Sequence, residues 1–443
     1  MENSVLAKRF TAGAILRFAF PNIIMMIFLS LYTIADGMFI SRYVGTLALS
    51  AINMSYPIIS VELAAGIMLG TGGGALIAKM LGEKKNEKAR ENLTFIVIVA
   101  VIFGFIMMTS ALLFLKPILV FLGTSKAQMP DCMIYTKILL LFSIPLFLQS
   151  VFQVFFVTAG KPKLGLFVTV LGGVSNMVLD YLFMGPMHMG IKGAAIATGI
   201  GYSIPAVSGL LYFARSKKEP LYFVKFKWDK KILLKACGNG SSEMITNVAV
   251  AITSFLFNII FMKYWAEDGV AAITIILYFQ FVFAAVFMGF SLGVAPVISY
   301  KYGAGDKKQL KYIVRVCFRY VFFFSVAVYV ISMLTIKAGL SIFTDPGGTV
   351  FNLCMDGFPI FAVSFALMGT SIYSSALFTA LSNGIASGII SFARTFVFLV
   401  GSLLILPKLL GGTGIWMAVP VAEILGIAVS AGFVIWGKKK YGY

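Results

Sequence analysis

The sequence predicts an all-α integral membrane protein, with twelve transmembrane helices in two six-helix lobes related by an internal repeat. Three observations carry that expectation. The 443-residue chain is 60% hydrophobic and only 12% charged, about half the charged share of a soluble domain. Segments with few or no charges recur at spanning length, and about 20 apolar residues suffice to cross the hydrocarbon. Landmarks of the first half return 221 residues later: Thr158 and Ala159 as Thr379 and Ala380, Pro186 as Pro407, Gly190 as Gly411, Gly193 as Gly414, Ala197 as Ala418 and Gly82 as Gly303. Glycine and proline dominate these matches because backbone geometry restricts residue choice there, so the offset marks duplicated topology.

Taken in order, the first span, 15–40, begins behind the basic Lys8, Arg9 and Arg17 and runs past signal-peptide length, so it stays attached. The second, 47–78, contains the run Gly70-Thr71-Gly72-Gly73-Gly74 and is closed by LGEKKNEKAR. That run lacks the Gly-Lys-Ser/Thr and preceding strand of a phosphate loop, so close helix packing or bending explains it better. The third span, 92–115, ends at Lys116, and the fourth and fifth, 133–158 and 164–184, flank Lys161 and Lys163. The sixth covers 190–213. The longest polar interruption, Ala214 to Lys235, lies at the chain midpoint. It divides an N-terminal lobe, 1–213, from a C-terminal lobe, 236–443, and its alternating lysines and aromatics suit either an anionic leaflet or a solvated connector.

The seventh and eighth spans, 236–262 and 270–300, are separated around Lys263. Gly289 and Gly293 ahead of Gly303 repeat the flexible segment of the second span. The ninth span, 312–336, ends before Lys337, and the tenth covers 350–380. Ser382-Asn383-Gly384 introduces the eleventh, 384–406, and GGTG at 411–414 opens the twelfth, 412–436. Such short connections make neighbouring helices antiparallel.

The net charge of +19 invites a nucleic-acid reading, which the distribution of the basic residues removes. Of the 36 lysines and arginines, 27 fall in segments on the side of the two termini, 8 on the other side, and Arg394 lies inside a span. This asymmetry fits the positive-inside rule, with both termini cytoplasmic and the chain multi-pass in the plasma membrane. No nucleic-acid partner is implied. Cys132, Cys237, Cys317 and Cys354 are scattered without a CxxC pair, which supports neither a disulfide framework nor a zinc site. No HExxH, Ser/His/Asp set or nucleotide motif occurs, so the chain is not read as an enzyme. His188, the single histidine, falls in a turn before the sixth span and reads as a solvated residue.

Asp36, Glu62, Asp180, Glu243 and Glu423 fall within spans. A charge at mid-helix costs roughly 2.5–3.5 kcal/mol on insertion scales, so each needs a partner or a role. At about 1.5 Å of rise per residue, Asp36, Asp180 and Thr198 reach similar depth in the outer half of the first lobe. Asn176 lies one turn deeper than Asp180 on the same helix face. Four oxygen-bearing side chains thus form a candidate cation site for a proton shared between carboxylates or for sodium. Arg394 and Glu423, both near the midplane of the second lobe, form a candidate structural ion pair. Glu62 and Glu243 are candidates to face an interlobe substrate cavity, together with Gln149, Gln153, Tyr278 and Gln280. Met and Phe, 22 and 42 in number, would supply pliable walls.

The runs GTGGGALIAKMLGEKKNEKA and GVAPVISYKYGAGDKKQLK, with MGIKGAAIAT and GGTGIWMAVPVAE, resemble the multidrug and toxin extrusion family over nearly the whole chain. The resemblance implies a secondary antiporter that exports organic, often cationic, compounds in exchange for protons or sodium. One branch of the family has a first-lobe cation site, and its motif falls on Asp36, Asn176, Asp180 and Thr198. The other branch relies on acids in the seventh and tenth helices, and this chain departs from it: the seventh is apolar around Val250 and 360–380 holds no acid.

The expected mechanism is alternating access, with helix one bending near Pro21 or Gly37 as the cation binds. No cofactor beyond the ion gradient is implied, and the expected partners are a drug-like small molecule and membrane lipids around a monomer. A flippase for lipid-linked precursors is the first alternative, although Arg394 alone supplies positive charge near the middle of a span. A non-transporting scaffold or sensor is the second. Near the second-lobe counterparts of the cation set stand Asn258, Val397, Gly401 and Val419, so the site is expected in one half only.

Overall fold

The computed structural model describes residues 5–443, and no strand occurs among them. The first lobe comprises α1 (Ala12–Tyr43), α2 (Thr46–Gly82), α3 (Asn86–Leu113), the short α4 (Leu115–Phe121), α5 (Met129–Leu141), α6 (Ser143–Thr158), α7 (Pro162–Met184) and α8 (Ile191–Arg215). The second lobe comprises α9 (Lys230–Gly303), α10 (Lys307–Phe343), α11 (Thr349–Ala380) and α12 (Gly384–Phe392). α12 continues through a π-helical stretch, Ala393–Val400, into α13 (Gly401–Tyr441).

Two of these segments are too long for one crossing. The 74 residues of α9 would extend about 110 Å at 1.5 Å per residue, against a hydrocarbon core of about 30 Å. The backbone turns a corner at Trp265 and Ala266 in α9 and at Gly411 in α13, so each segment is two spans. Conversely, α5 and α6 meet at a 57° bend and make one span. Twelve crossings result among the described residues. The sequence reading left an open connection between 262 and 270; the corner instead lets Glu267 and Asp268 begin the next helical turn, where the helix dipole favours carboxylates.

The repeat holds in backbone geometry. Gly190 adopts φ 59, ψ −141 and its counterpart Gly411 adopts φ 59, ψ −138. Gly45 and Ala266, also 221 apart, both take positive φ at the start of a span. Positive φ is open to glycine at little cost, which explains why the repeat survives best at glycines.

Both ends of the described chain lie on one face. Lys301 Nζ donates to the Ala7 carbonyl (3.0 Å), the Phe10 N–H donates to Gln309 Oε1 (2.9 Å), and Gly442 packs on Lys307. On this face the lobes approach backbone to backbone. A Cβ added at Gly82 would collide with the Tyr300 carbonyl, and one at Gly303 with that of Lys79. Gly72 packs in the same way on Ala236, and Gly240 on Met68.

The segment between α8 and α9 is neither free in solvent nor spread on a leaflet: it straps onto the first lobe. Leu221 is fully buried, Phe226 and Trp228 stack around Phe95, and Arg90 donates to the Pro220 carbonyl (2.9 Å) and the Tyr222 hydroxyl (3.0 Å). Lys161 pairs with Glu219 at 2.8 Å.

Candidate cation site and substrate cavity

The four oxygen-bearing residues of α1, α7 and α8 converge. The carboxyls of Asp36 and Asp180 face each other at hydrogen-bonding distance. Asn176 Nδ2 donates to Thr198 Oγ1 at 3.4 Å, and Thr198 in turn donates to the Ala194 carbonyl at 2.9 Å. Asn176, Asp180 and Thr198 are buried. Gly201 helps to seat the group, since a Cβ there would stand 3.0 Å from Asn176 Cβ.

Asp36 Oδ1, both carboxylate oxygens of Asp180 and Asn176 Oδ1 are buried without a hydrogen-bond partner among the described residues. Two carboxyls so close, with no donor between them, repel each other when both are ionised, and their chemistry suits a shared proton or a hard metal ion that prefers oxygen ligands. The donor set fits either. Tyr32, Tyr135 and Tyr202 surround the pair. Two of them carry a signal in the sequence: Tyr32 precedes Asp36 by four residues and Tyr202 follows Thr198 by four, the spacing of one helix face. Tyr135 comes from α5, and only tertiary packing brings it in.

A cavity of about 270 Å³ lies mainly in the second lobe. Its walls come from α9, α11, α12, the π-helical stretch and α13, with Tyr56 and Ser60 of α2 closing the first-lobe side. Phe257, Phe281, Leu277 and Met368 give it apolar surface; Glu243, Gln280, Arg394 and Glu423 give it polarity. Arg394 and Glu423 are bonded, with Nη2 to Oε1 at 2.6 Å and Nε to both carboxylate oxygens at 2.9 Å. The π-helical stretch steps each backbone hydrogen bond over one residue more than an α-helix, a distortion that is frequent at functional sites.

Of the residues expected around the substrate, Glu243 and Gln280 line this cavity; Glu62, Gln149, Gln153 and Tyr278 do not. Glu62 is fully buried inside the first lobe, where Ser143 Oγ donates to its carboxylate at 2.9 Å. Ser143 opens α6 at the bend of the fourth span, so its bond to Glu62 ties α2 to that bend. Tyr278 is 41% exposed and packs against Phe343 instead. Gln149 and Gln153 lie on α6, within the first lobe.

Twelve spans in two repeated lobes, with a carboxylate pair in one and a partly polar cavity in the other, define a two-lobed membrane transporter. The MatE family model matches residues 21–182 and 244–404, once in each lobe and together most of the chain. The chain belongs to the MatE family, whose members are transporters and not enzymes. It is similar to the multidrug export protein MepA of Staphylococcus haemolyticus, 25% identical over 429 residues that cover 96% of this chain and 93% of that one. The MepA of Staphylococcus aureus is 21% identical over 413 residues, 93% of this chain and 91% of that one.

Among solved structures, the outward-facing conformation of a multidrug resistance MATE family transporter of the MOP superfamily superposes with a TM-score of 0.92 at 22% identity. It covers 100% of this chain and 98% of that one. A MOP superfamily transporter from Pyrococcus furiosus, described by the reverse polarity of its binding pocket, superposes with a TM-score of 0.89 at 21% identity, covering 97% and 96%. These likenesses establish the fold.

Proposed function

We propose that this chain is a secondary active exporter of organic, cationic amphipathic compounds, driven by proton or sodium entry at Asp36 and Asp180 through alternating access. One observation carries the reading: unpartnered, facing carboxyls in the first lobe accompany a cavity of about 270 Å³ with mixed polar and apolar lining in the second. The cation and the substrate would then act on different lobes and compete through the position of the lobes. Tyr202 stands beside Asp36 and near Tyr56, which lines the cavity, so the two sites approach each other at that point. The relatives are named multidrug export proteins, which supports the same class of substrate.

With the face of both termini cytoplasmic, as the 27 to 8 distribution of basic residues suggests, the closed seal lies inside. Cation binding between Asp36 and Asp180 would then reshape the outer half of α1, with Pro21 and Gly37 as places to bend. Electroneutral exchange of one proton for a monovalent cation gains about 1.4 kcal/mol, or tenfold accumulation, per pH unit. Proteoliposomes carrying the purified chain, with a fluorescent organic cation and proton or sodium gradients imposed separately, test the reading. Accumulation should follow one of the gradients. Absence of movement under both would refute export.

A further inference from the structure

We propose that Glu62 is a proton-binding site separate from Asp36 and Asp180, and that the proton it holds locks the bend of the fourth span against α2. The inference does not depend on the exporter reading, and its test needs no ion gradient.

Glu62 belongs to a seam between two helices. Along α2, Glu62, Gly66, Gly70 and Gly74 recur every four residues and so share one helix face. That face lies flush on α6. A Cβ at Gly66 would stand 3.0 Å from Ser150 Cβ, one at Gly70 3.0 Å from the Ser150 carbonyl oxygen, and one at Gly74 2.7 Å from Val154 Cγ1. One turn before Gly66, α6 ends at Ser143 and α5 departs at 57°. The Glu62 carboxyl sits at that corner, fully buried and against Ser143.

The hydrogens available around Ser143 place one on Glu62. Ser143 Oγ lies 2.7 Å from the Leu140 carbonyl oxygen and 2.9 Å from each carboxyl oxygen of Glu62. A carbonyl can only accept, and a serine hydroxyl has a single proton to give. With Glu62 ionised, that proton serves either Glu62 or Leu140, and the other close approach holds no hydrogen. With Glu62 as the acid, Ser143 donates to Leu140 and accepts from Glu62, so both contacts are satisfied.

Countercharge is missing as well. The ion pairs among the described residues join Lys85 to Glu83, Lys161 to Glu219 and Arg394 to Glu423. Glu423 is buried beside a guanidinium; an ionised Glu62 would be buried beside none, which is costly. Tyr202 of α8 is the other titratable group that faces Glu62, with Asp36 and Tyr56 around it, and a phenol brings no positive charge. One hydroxyl also offers too few oxygens for a hard metal ion. The ligand of Glu62 is therefore a proton, whichever cation Asp36 and Asp180 take. On ionisation Ser143 would turn from Leu140 to the carboxylate, charge would enter the seam, and the corner between α5 and α6 would loosen.

Infrared difference spectroscopy of the full-length protein in lipid nanodiscs, between acidic and alkaline buffer, tests the site. The background Asp36→Asn/Asp180→Asn removes the other buried acids of the first lobe. A carbonyl stretch of a protonated carboxyl, sensitive to deuterium oxide, should be present and should be lost as pH rises. Glu62→Gln should erase it while keeping the neutral shape, since the amide can donate to Ser143 Oγ as the acid does. Ser143→Ala leaves the acid in place, and the band should move to higher frequency because its acceptor is gone.

Hydrogen exchange of peptides spanning 137–146, corrected for the intrinsic effect of pH, tests the lock. It should rise several-fold over the pH range in which the band disappears, and should stay flat in Glu62→Gln. A band unaffected by Glu62→Gln, or unmoved by Ser143→Ala, overturns the proposal. So does a band that titrates while exchange at the bend remains constant.

Discussion

Gly82 and Gly303 occupy equivalent places in the two lobes and pack on equivalent partners: the first lies against the Tyr300 carbonyl and the second against that of Lys79. Positions 79 and 300 are themselves related by the 221-residue offset, so the contact is a pseudo-twofold crossing of the end of α2 with the end of α9. Small residues permit such backbone approach in membranes. The crossing closes the lobe interface on the face that carries both termini.

Gly82→Val should therefore open that face, and Gly303→Val should do the same, because neither backbone neighbour can yield as a flexible side chain would. Overpacking costs about 1–3 kcal/mol, which corresponds to a shift of about 5- to 150-fold in the balance of conformations. Cys237 is the one half-buried cysteine, the other three being buried, and it adjoins Ala236 at the seal. Its labelling by a membrane-impermeant maleimide, followed by mass spectrometry, should rise several-fold in both variants. Unchanged labelling in both would mean that this crossing does not gate access.

Asp180→Asn should abolish ion-driven accumulation while leaving the protein folded, because an amide can hydrogen-bond to Asp36 without a cation between them. In proteoliposomes, the accumulation of about tenfold per pH unit that a proton-coupled exchanger sustains should fall to about one, and the corresponding sodium response should vanish. Retained accumulation under the same gradient would place coupling elsewhere. Thr198→Val is expected to act more weakly, since it removes one hydroxyl and no charge.

Arg394→Ala should be among the most damaging single changes in the second lobe. It strands the Glu423 carboxylate, 5% exposed, and breaking a buried pair from one side costs about 3–5 kcal/mol. The combination Arg394→Met/Glu423→Leu should recover most of that loss. Thermal melting monitored by size-exclusion chromatography separates the cases; equal melting of the single and combined variants would contradict the account.

Arg90→Ala should release the interlobe strap. The side chain holds Pro220 and Tyr222 by hydrogen bonds and stacks its guanidinium 4.3 Å from the Tyr222 ring centroid. Charged hydrogen bonds of this kind are worth about 1.5–3 kcal/mol. Limited trypsin digestion should then cut faster at Lys217 and Lys218. Equal digestion rates would show that Leu221 and the stack on Phe95 suffice to hold the segment.

Much of this was legible in one dimension, for reasons that differ by element. Hydropathy marks the spans because the bilayer selects apolar length, and the repeat survives at Gly190 and Gly411 because both need the same positive φ. Asp36, Asn176, Asp180 and Thr198 can be grouped by depth alone, since position along a helix converts directly into depth across the membrane, and the structure brings the four together. Glu62 was misjudged by the same rule. Depth says nothing about azimuth around the helix axis, and Glu62 turns inward to Ser143 rather than toward the other lobe.

The amino-acid sequence by itself determined what a bilayer and a local backbone impose: the number of crossings, the duplication, the side that carries the positive charge and the carboxylates that must find partners. Tertiary structure decided which residues meet. It placed Tyr135 near the carboxylate pair, put the cavity largely in one lobe, turned α9 at Trp265 and Ala266, and laid the midpoint linker on Phe95. The contacts behind these outcomes join residues far apart in the chain, and they depend on how helices rotate and bend against one another, which neither hydropathy nor spacing encodes.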